Sequence, residues 1–200
     1  MTLALDGSSI DGSAYRDVTN LAAHAPGWLD SAVSAWSAYG LAVFAVLMVA
    51  AWWRARRTSA TAALAALAVP LVVMVAYVLN DVVKTLVRED RPCQSLRLVT
   101  LEACPAPGDW SFPSNHAAIA ASAAVAILFV SRRLGAVAIA AACAMAASRV
   151  WVGAHYPHDA AAGLVVGAAA GALLMVAVRR WPEPPTRRLT ASRLRLLLVA

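Results

Sequence analysis

In the stretch HYPHDAAAGLVVGAAAGALLMVAVRR, residues 155–180, nothing charged stands between Asp159 and Arg179. A helical apolar run of about 20 residues matches the hydrocarbon thickness of a bilayer. It has no polar face to turn toward water, so it is a poor candidate for the surface helix of a soluble domain. Histidines, a proline and an aspartate crowd one end, and two arginines mark the other.

The same pattern recurs along the chain. Runs 35–53, 113–130 and 134–152 are apolar with almost no charge, Arg149 near the end of the last being the exception, and 60–79 is apolar before the sequence turns amphipathic through Asp81, Lys84 and Arg88. Of the 200 residues, 61% are apolar, against about 45–50% in ordinary globular domains. Mean hydropathy is +0.66. The fold class predicted is all-α: a polytopic membrane helix bundle of about five to six transmembrane helices. Spans this close together form one transmembrane domain, residues 34–180.

Residues 1–33 are expected to be an extracytoplasmic, interfacial segment. Their part 15–33 is too polar to span, and it turns at Pro26–Gly27. The start of the chain lacks a basic region and carries Asp6 and Asp11, so the first span is expected to act as its own insertion signal. Residues 181–200 read as a basic cytoplasmic tail, either disordered or lying along the inner leaflet.

The net charge of +6 does not point to nucleic acid, because the arginines flank the spans. Arg54, Arg56 and Arg57 follow the first run, Arg132 and Arg133 lie between 113–130 and 134–152, and Arg179 and Arg180 close the last. With five spans these clusters share one side, which the positive-inside rule makes cytoplasmic. The remaining polar concentrations, 81–109, 111–116 and 149–159, then face outward.

Three of these outward clusters carry chemistry. Lys84, the only lysine, ends a span, where an ionisable group is costly and usually functional; Arg91 follows it. Pro113 and Ser114 suit the first turn and cap of the next helix, whose unpaired amides, with Asn115 and His116, make a ready anion site. Arg149 ends a helix and Asp159 begins another. His155 and Asp159 are four apart, close enough for the carboxylate to fix one imidazole nitrogen and leave the other to attack. His158 is expected to point away, toward water or headgroups. Three cations around one anion, with two histidines and an aspartate, form a set for phosphoryl transfer. No carboxylate cluster suggests magnesium and no Cys/His spacing suggests zinc, so neither metal nor cofactor is expected.

Cys93 and Cys104 share one outward loop, where a disulfide is expected to stiffen the mouth of the site. Cys143 is expected to pack inside a span. Gly163, Gly167 and Gly171 form a small-residue stripe, read as packing within the bundle; oligomeric state stays open.

Quoted together, Lys84–Arg91–Pro92, PSNH at 113–116, and Ser148–Arg149, His155 and Asp159 resemble the three signatures of the type 2 phosphatidic acid phosphatase superfamily. Asn115 stands where that family usually has glycine. The resemblance implies a metal-independent lipid phosphatase. His155 would be the nucleophile forming a phosphohistidine, Asp159 its support, and His116 the proton donor to the leaving group. Lys84, Arg91, Ser114, Asn115 and Arg149 would bind the phosphoryl oxygens.

NLAAHAPGWLDSAVSAW, residues 20–36, resembles the same region of the bacitracin-resistance type of undecaprenyl pyrophosphate phosphatase. This implies hydrolysis of a polyprenyl pyrophosphate at the outer face of a bacterial plasma membrane, in recycling of the cell-wall carrier. The alternatives are phosphatidylglycerophosphate, phosphatidic acid, or a polyprenyl-phosphoryl sugar phosphate. A different class would be a non-catalytic lipid-binding or transport protein, but transport sites sit near the membrane midplane and these clusters gather at one face.

Overall fold

The computed structural model describes residues 6–180, and over that range the ordered elements are all helices. They are α1 (Gly7–Ala23), α2 (Gly27–Tyr39), α3 (Leu41–Ala55), α4 (Ala60–Val87), α5 (Pro92–Leu96), α6 (Asn115–Val130), α7 (Arg132–Trp151) and α8 (Pro157–Arg180). The expected basic tail, 181–200, lies outside the described residues.

α6 is the inner helix. It packs against α3, α4, α7 and α8, and most of its length, including Ala117, Ala120, Ala123, Ala124 and Ile127, is buried. Alanine makes this crowding possible, and the glycines of α8 extend it. A side chain at Gly163, Gly167 or Gly171 would run into the backbone of Ser114, Ala118 or Ser122. The stripe therefore joins α8 to α6 within one chain, in the manner of small-residue membrane interfaces.

Apolar side chains also face outward. Leu71, Met74, Val78, Val82 and Leu86 are exposed along α4, as are Val43, Val46 and Val49 on α3 and Val165, Leu173 and Val176 on α8. Such stripes suit lipid and not water. Cys143 is exposed too, so it faces out from α7 and does not fill the interior as expected.

Against an expectation of about five to six spans, α4, α7 and α8 are long and apolar enough to cross a membrane. The pair α2 and α3 qualifies jointly but is bent by 55°. The run 35–53 is therefore not one straight helix. Its break falls at Gly40, where a side chain would meet the Trp36 carbonyl and Met145. α6 is apolar but only 16 residues long, or roughly 24 Å. Residues 15–33, expected to be an interfacial segment with a turn at Pro26–Gly27, lie in α1 and α2 on either side of Pro26.

Helix direction sorts the charges. α6 and α8 both begin at the end where α4 and α7 finish, so Lys84, Asn115, Arg149 and Pro157 share one end of the bundle. At the other end the Arg179 guanidinium lies over the Phe129 ring, 5.8 Å from its centroid. Arg132 and Arg179 line one cleft there.

Candidate active site

His155 sits in the short connection between α7 and α8 and is 2% exposed. Its Nδ1 lies 3.4 Å from Asp159 Oδ2 and 3.3 Å from Ser111 Oγ. Asp159 is wholly buried in the first turn of α8, and its Oδ2 accepts from the Ser111 hydroxyl and from the Tyr156 N–H at 2.8 Å. The other ring nitrogen, Nε2, lies 3.4 Å from Arg91 Nη1. Burial lowers the His155 pKa to about 3, partly opposed by Asp159, while Arg91 and Lys84 lower it further. The ring is therefore neutral at physiological pH. A proton held on Nδ1 by its oxygen partners leaves the Nε2 lone pair on the side of the cations.

Those cations are held by the segment between α5 and α6. Lys84 Nζ donates to the Trp110 and Ser111 carbonyls at 2.7 and 3.3 Å. Arg91 donates to the Asp109 carbonyl, to Asp109 Oδ1 and to the Ala154 carbonyl, each at 2.9 Å. Arg149 makes a two-pronged pair with Glu102, at 2.7 and 3.0 Å, and donates to Ser37 Oγ at 2.6 Å. Cys93 and Cys104 are joined in a disulfide that closes the base of this segment.

Ser114 caps α6, accepting from the Ala117 N–H at 3.5 Å, while its own N–H donates to the Asp159 carbonyl at 3.0 Å. Asn115 Oδ1 accepts from Asn80 of α4 at 2.7 Å, which gives the residue replacing the family's usual glycine a structural partner. His116 lines a cleft of about 390 Å³ with Ser37, Glu102, Arg149 and Val152.

The structure thus brings His155, Asp159, Arg91 and Lys84 into one buried group, with Ser114 tied to it through Asp159 and with His116 and Arg149 on the adjoining cleft. Sequence reasoning missed Asn80, Glu102, Asp109 and Ser111, whose partners lie 18 to 48 residues away in the chain. No local spacing encodes such pairs.

His158 departs most from expectation. It is 18% exposed at its side chain, and its ring stacks on Phe112 and Tyr156. Nδ1 lies 2.8 Å from Asp11 and Nε2 lies 3.1 Å from both Glu89 oxygens. The carboxylate cluster not visible in the sequence is assembled here from three distant segments. Glu89, His158 and Asp159 offer donor atoms within 4.8 Å of one another. Both imidazole nitrogens face carboxylates, Nδ1 toward Asp11 and Nε2 toward Glu89.

Residues 65–183 match the PAP2 superfamily. The chain belongs to that family. It is a multi-pass membrane phosphatase, a hydrolase whose family acts on membrane lipids. It is 30% identical over 145 residues to undecaprenyl-diphosphatase BcrC of Bacillus subtilis, covering 72% of each chain. It is 36% identical over 101 residues to decaprenylphosphoryl-5-phosphoribose phosphatase of Mycobacterium tuberculosis, covering 50% of this chain and 54% of the relative. The crystal structure of a transmembrane PAP2-type phosphatidylglycerolphosphate phosphatase from Bacillus subtilis shares the fold. Its TM-score is 0.56 at 19% identity, over 84% of this chain and 86% of the other.

Proposed function

We propose that this PAP2 phosphatase removes the terminal phosphate of a polyprenyl diphosphate, most simply undecaprenyl diphosphate, on the outer face of a bacterial plasma membrane. The observation that carries the chemistry is the two-sided hold on His155, with Nδ1 against Asp159 and Ser111 and Nε2 against Arg91. Nε2 attacks the terminal phosphorus, and the bond from that phosphorus to the bridging oxygen breaks. His116 gives its proton to the departing lipid monophosphate. Water then attacks the phosphorus of the phosphohistidine while His116 takes its proton, the bond from phosphorus to Nε2 breaks, and inorganic phosphate leaves with His155 restored. Lys84, Arg91, Arg149, the Ser114 hydroxyl and the first amides of α6 stabilise the charge that develops on the phosphoryl oxygens.

Similarity to BcrC over most of both chains supports the polyprenyl substrate. The arginines gathered at the end of the bundle remote from His155 support the outer face. The test is phosphate release by the purified protein from a panel of lipids, with and without chelator. The panel holds undecaprenyl diphosphate, a polyprenyl-phosphoryl sugar phosphate, phosphatidylglycerophosphate and phosphatidic acid. The reading expects the diphosphate to be preferred and the activity to survive chelation. Preference for a glycerolipid monophosphate would reject the substrate, and strict dependence on a divalent metal would reject the mechanism. Similarity to the phosphoribose phosphatase makes the sugar phosphate the second reading.

A further inference from the structure

We propose that His158 is a positioning residue of the phosphatase: an imidazolium clamped between Asp11 and Glu89 that holds the Asp159 carboxylate in the orientation fixing His155. The proposal rests on the reading of His155 as nucleophile.

The charge state follows from the contacts. Nδ1 faces Asp11 Oδ1 at 2.8 Å, and Nε2 faces Glu89 Oε1 and Oε2 at 3.1 Å each. Carboxylates only accept, and a neutral imidazole donates from one nitrogen alone. With Asp11 and Glu89 both ionised, only the doubly protonated ring satisfies both sides; a neutral ring would need Glu89 protonated and donating to Nε2. The backbone N–H of His158 donates to Asp11 Oδ2 at 2.7 Å as well, so one carboxylate grips the residue twice.

Asp159 gives the clamp its purpose. Its Oδ2 is fixed by Ser111 and Tyr156 and faces His155, whereas Oδ1 is buried without a hydrogen bond. His158 Nε2 lies 3.4 Å from that Oδ1. Glu89 and Asp159 are both fully buried, and two buried carboxylates do not stay ionised side by side without a cation. The charged groups facing His158 are Asp11 from α1, Glu89 from the α4–α5 connection and Asp159 from its own helix. With the imidazolium among them, Asp159 stays an anion with one oxygen turned to each histidine.

The clamp also reaches outside the region that matches the family. Asp11 sits at the one break in α1, at φ −143° and ψ 29°, before the matched residues 65–183 begin. Tyr15 on the same helix donates to the Gly153 carbonyl at 2.9 Å, next to the catalytic connection. α1 is thereby built into the back of the site.

The test uses the full chain in detergent with farnesyl diphosphate as a soluble polyprenyl diphosphate probe. His158→Phe keeps the ring between Phe112 and Tyr156 and removes both N–H groups. Misplacing a reacting group by about 1 Å can cost about 100-fold, so kcat is expected to fall by up to about that factor with KM little changed. With the cation gone, the acid limb of the kcat profile is expected to move to higher pH. Adding Glu89→Gln removes the facing negative charge and moves the limb back, which a purely structural role would not do. A folded His158→Phe protein with wild-type kcat and acid limb overturns the clamp.

A second measurement needs no variant. Nitrogen-15 NMR of the wild-type imidazoles, a unit or more above the ordinary histidine value of about 6.5, is expected to show both His158 nitrogens protonated. A neutral His158 ring there overturns the proposal even where His158→Phe does not fold. Wild-type protein that releases no phosphate from any lipid sinks the proposed function instead, and the imidazole measurement still decides the clamp.

Discussion

Arg149 and Glu102 form a two-pronged ion pair at the edge of the cleft that His116 lines, with 5% and 40% of their side chains exposed. Glu102 presents to the guanidinium the same pair of oxygens that a phosphate would. A phosphoryl group that engages Arg149 along that edge has to displace the carboxylate.

Glu102→Gln is therefore expected to tighten inhibition by inorganic phosphate or vanadate. A partly exposed ion pair contributes up to about 1 kcal/mol, which is about fivefold in affinity. Inhibition constants measured against the same lipid check this; an unchanged or weaker constant would show that Glu102 positions Arg149 and does not compete with substrate.

His155→Ala is expected to leave a folded protein with activity reduced about 10³-fold or more, the scale of losing the nucleophile. Ser111→Ala removes one hold on Asp159 and one neighbour of His155 Nδ1, and is expected to cost about tenfold, the rate equivalent of one hydrogen bond of about 1.4 kcal/mol. Initial rates of phosphate release decide both. A Ser111→Ala enzyme as impaired as His155→Ala would place the hydroxyl in the chemistry itself.

Burial of neutral His155 makes stability depend on pH. Its pKa is about 3 in the folded protein and about 6.5 in an unfolded chain. Between those values the unfolded state binds a proton that the folded state refuses. The contribution is whole above the unfolded value and declines as pH falls from there toward 3. Thermal unfolding in detergent is expected to shift down on acidification, and less steeply in His155→Ala. Equal slopes for the two proteins would contradict this account.

Gly167→Val drives a side chain into the Ala118 backbone. Overpacking of this kind costs about 1–3 kcal/mol. A lower unfolding temperature and reduced activity are expected together, because α6 and α8 carry opposite halves of the site. Gly27→Ala, where nothing stands nearby, serves as the matched control.

The helices and the contact between His155 and Asp159 were legible because they are local properties of the chain. Apolar runs between arginines mark α4, α7 and α8, and the four-residue step from His155 to Asp159 lies within a single turn. Counter-charges were not legible. Glu102, Asp109 and Ser111 are unremarkable loop residues until the segment between α5 and α6 folds over the bundle end. His158 looked like a bystander because its partners, Asp11 and Glu89, are 147 and 69 residues away. The bend at Gly40 was hidden for a related reason: hydropathy reports where a run is apolar and says nothing of what Met145 presses against.

Two helix beginnings meet at this site, α6 and α8, and each concentrates about half a positive charge from its aligned peptide dipoles. They are not equally available. At α8 the Asp11 carboxylate sits on the His158 amide and Asp159 accepts from Tyr156, so that pole is already neutralised from within the protein. At α6 the capping side chain is the neutral hydroxyl of Ser114, whose own N–H donates to the Asp159 carbonyl. Of the two helix ends, the one at α8 is thus met by carboxylates and the one at α6 by a neutral cap, an asymmetry of the backbone that would favour an anion at α6.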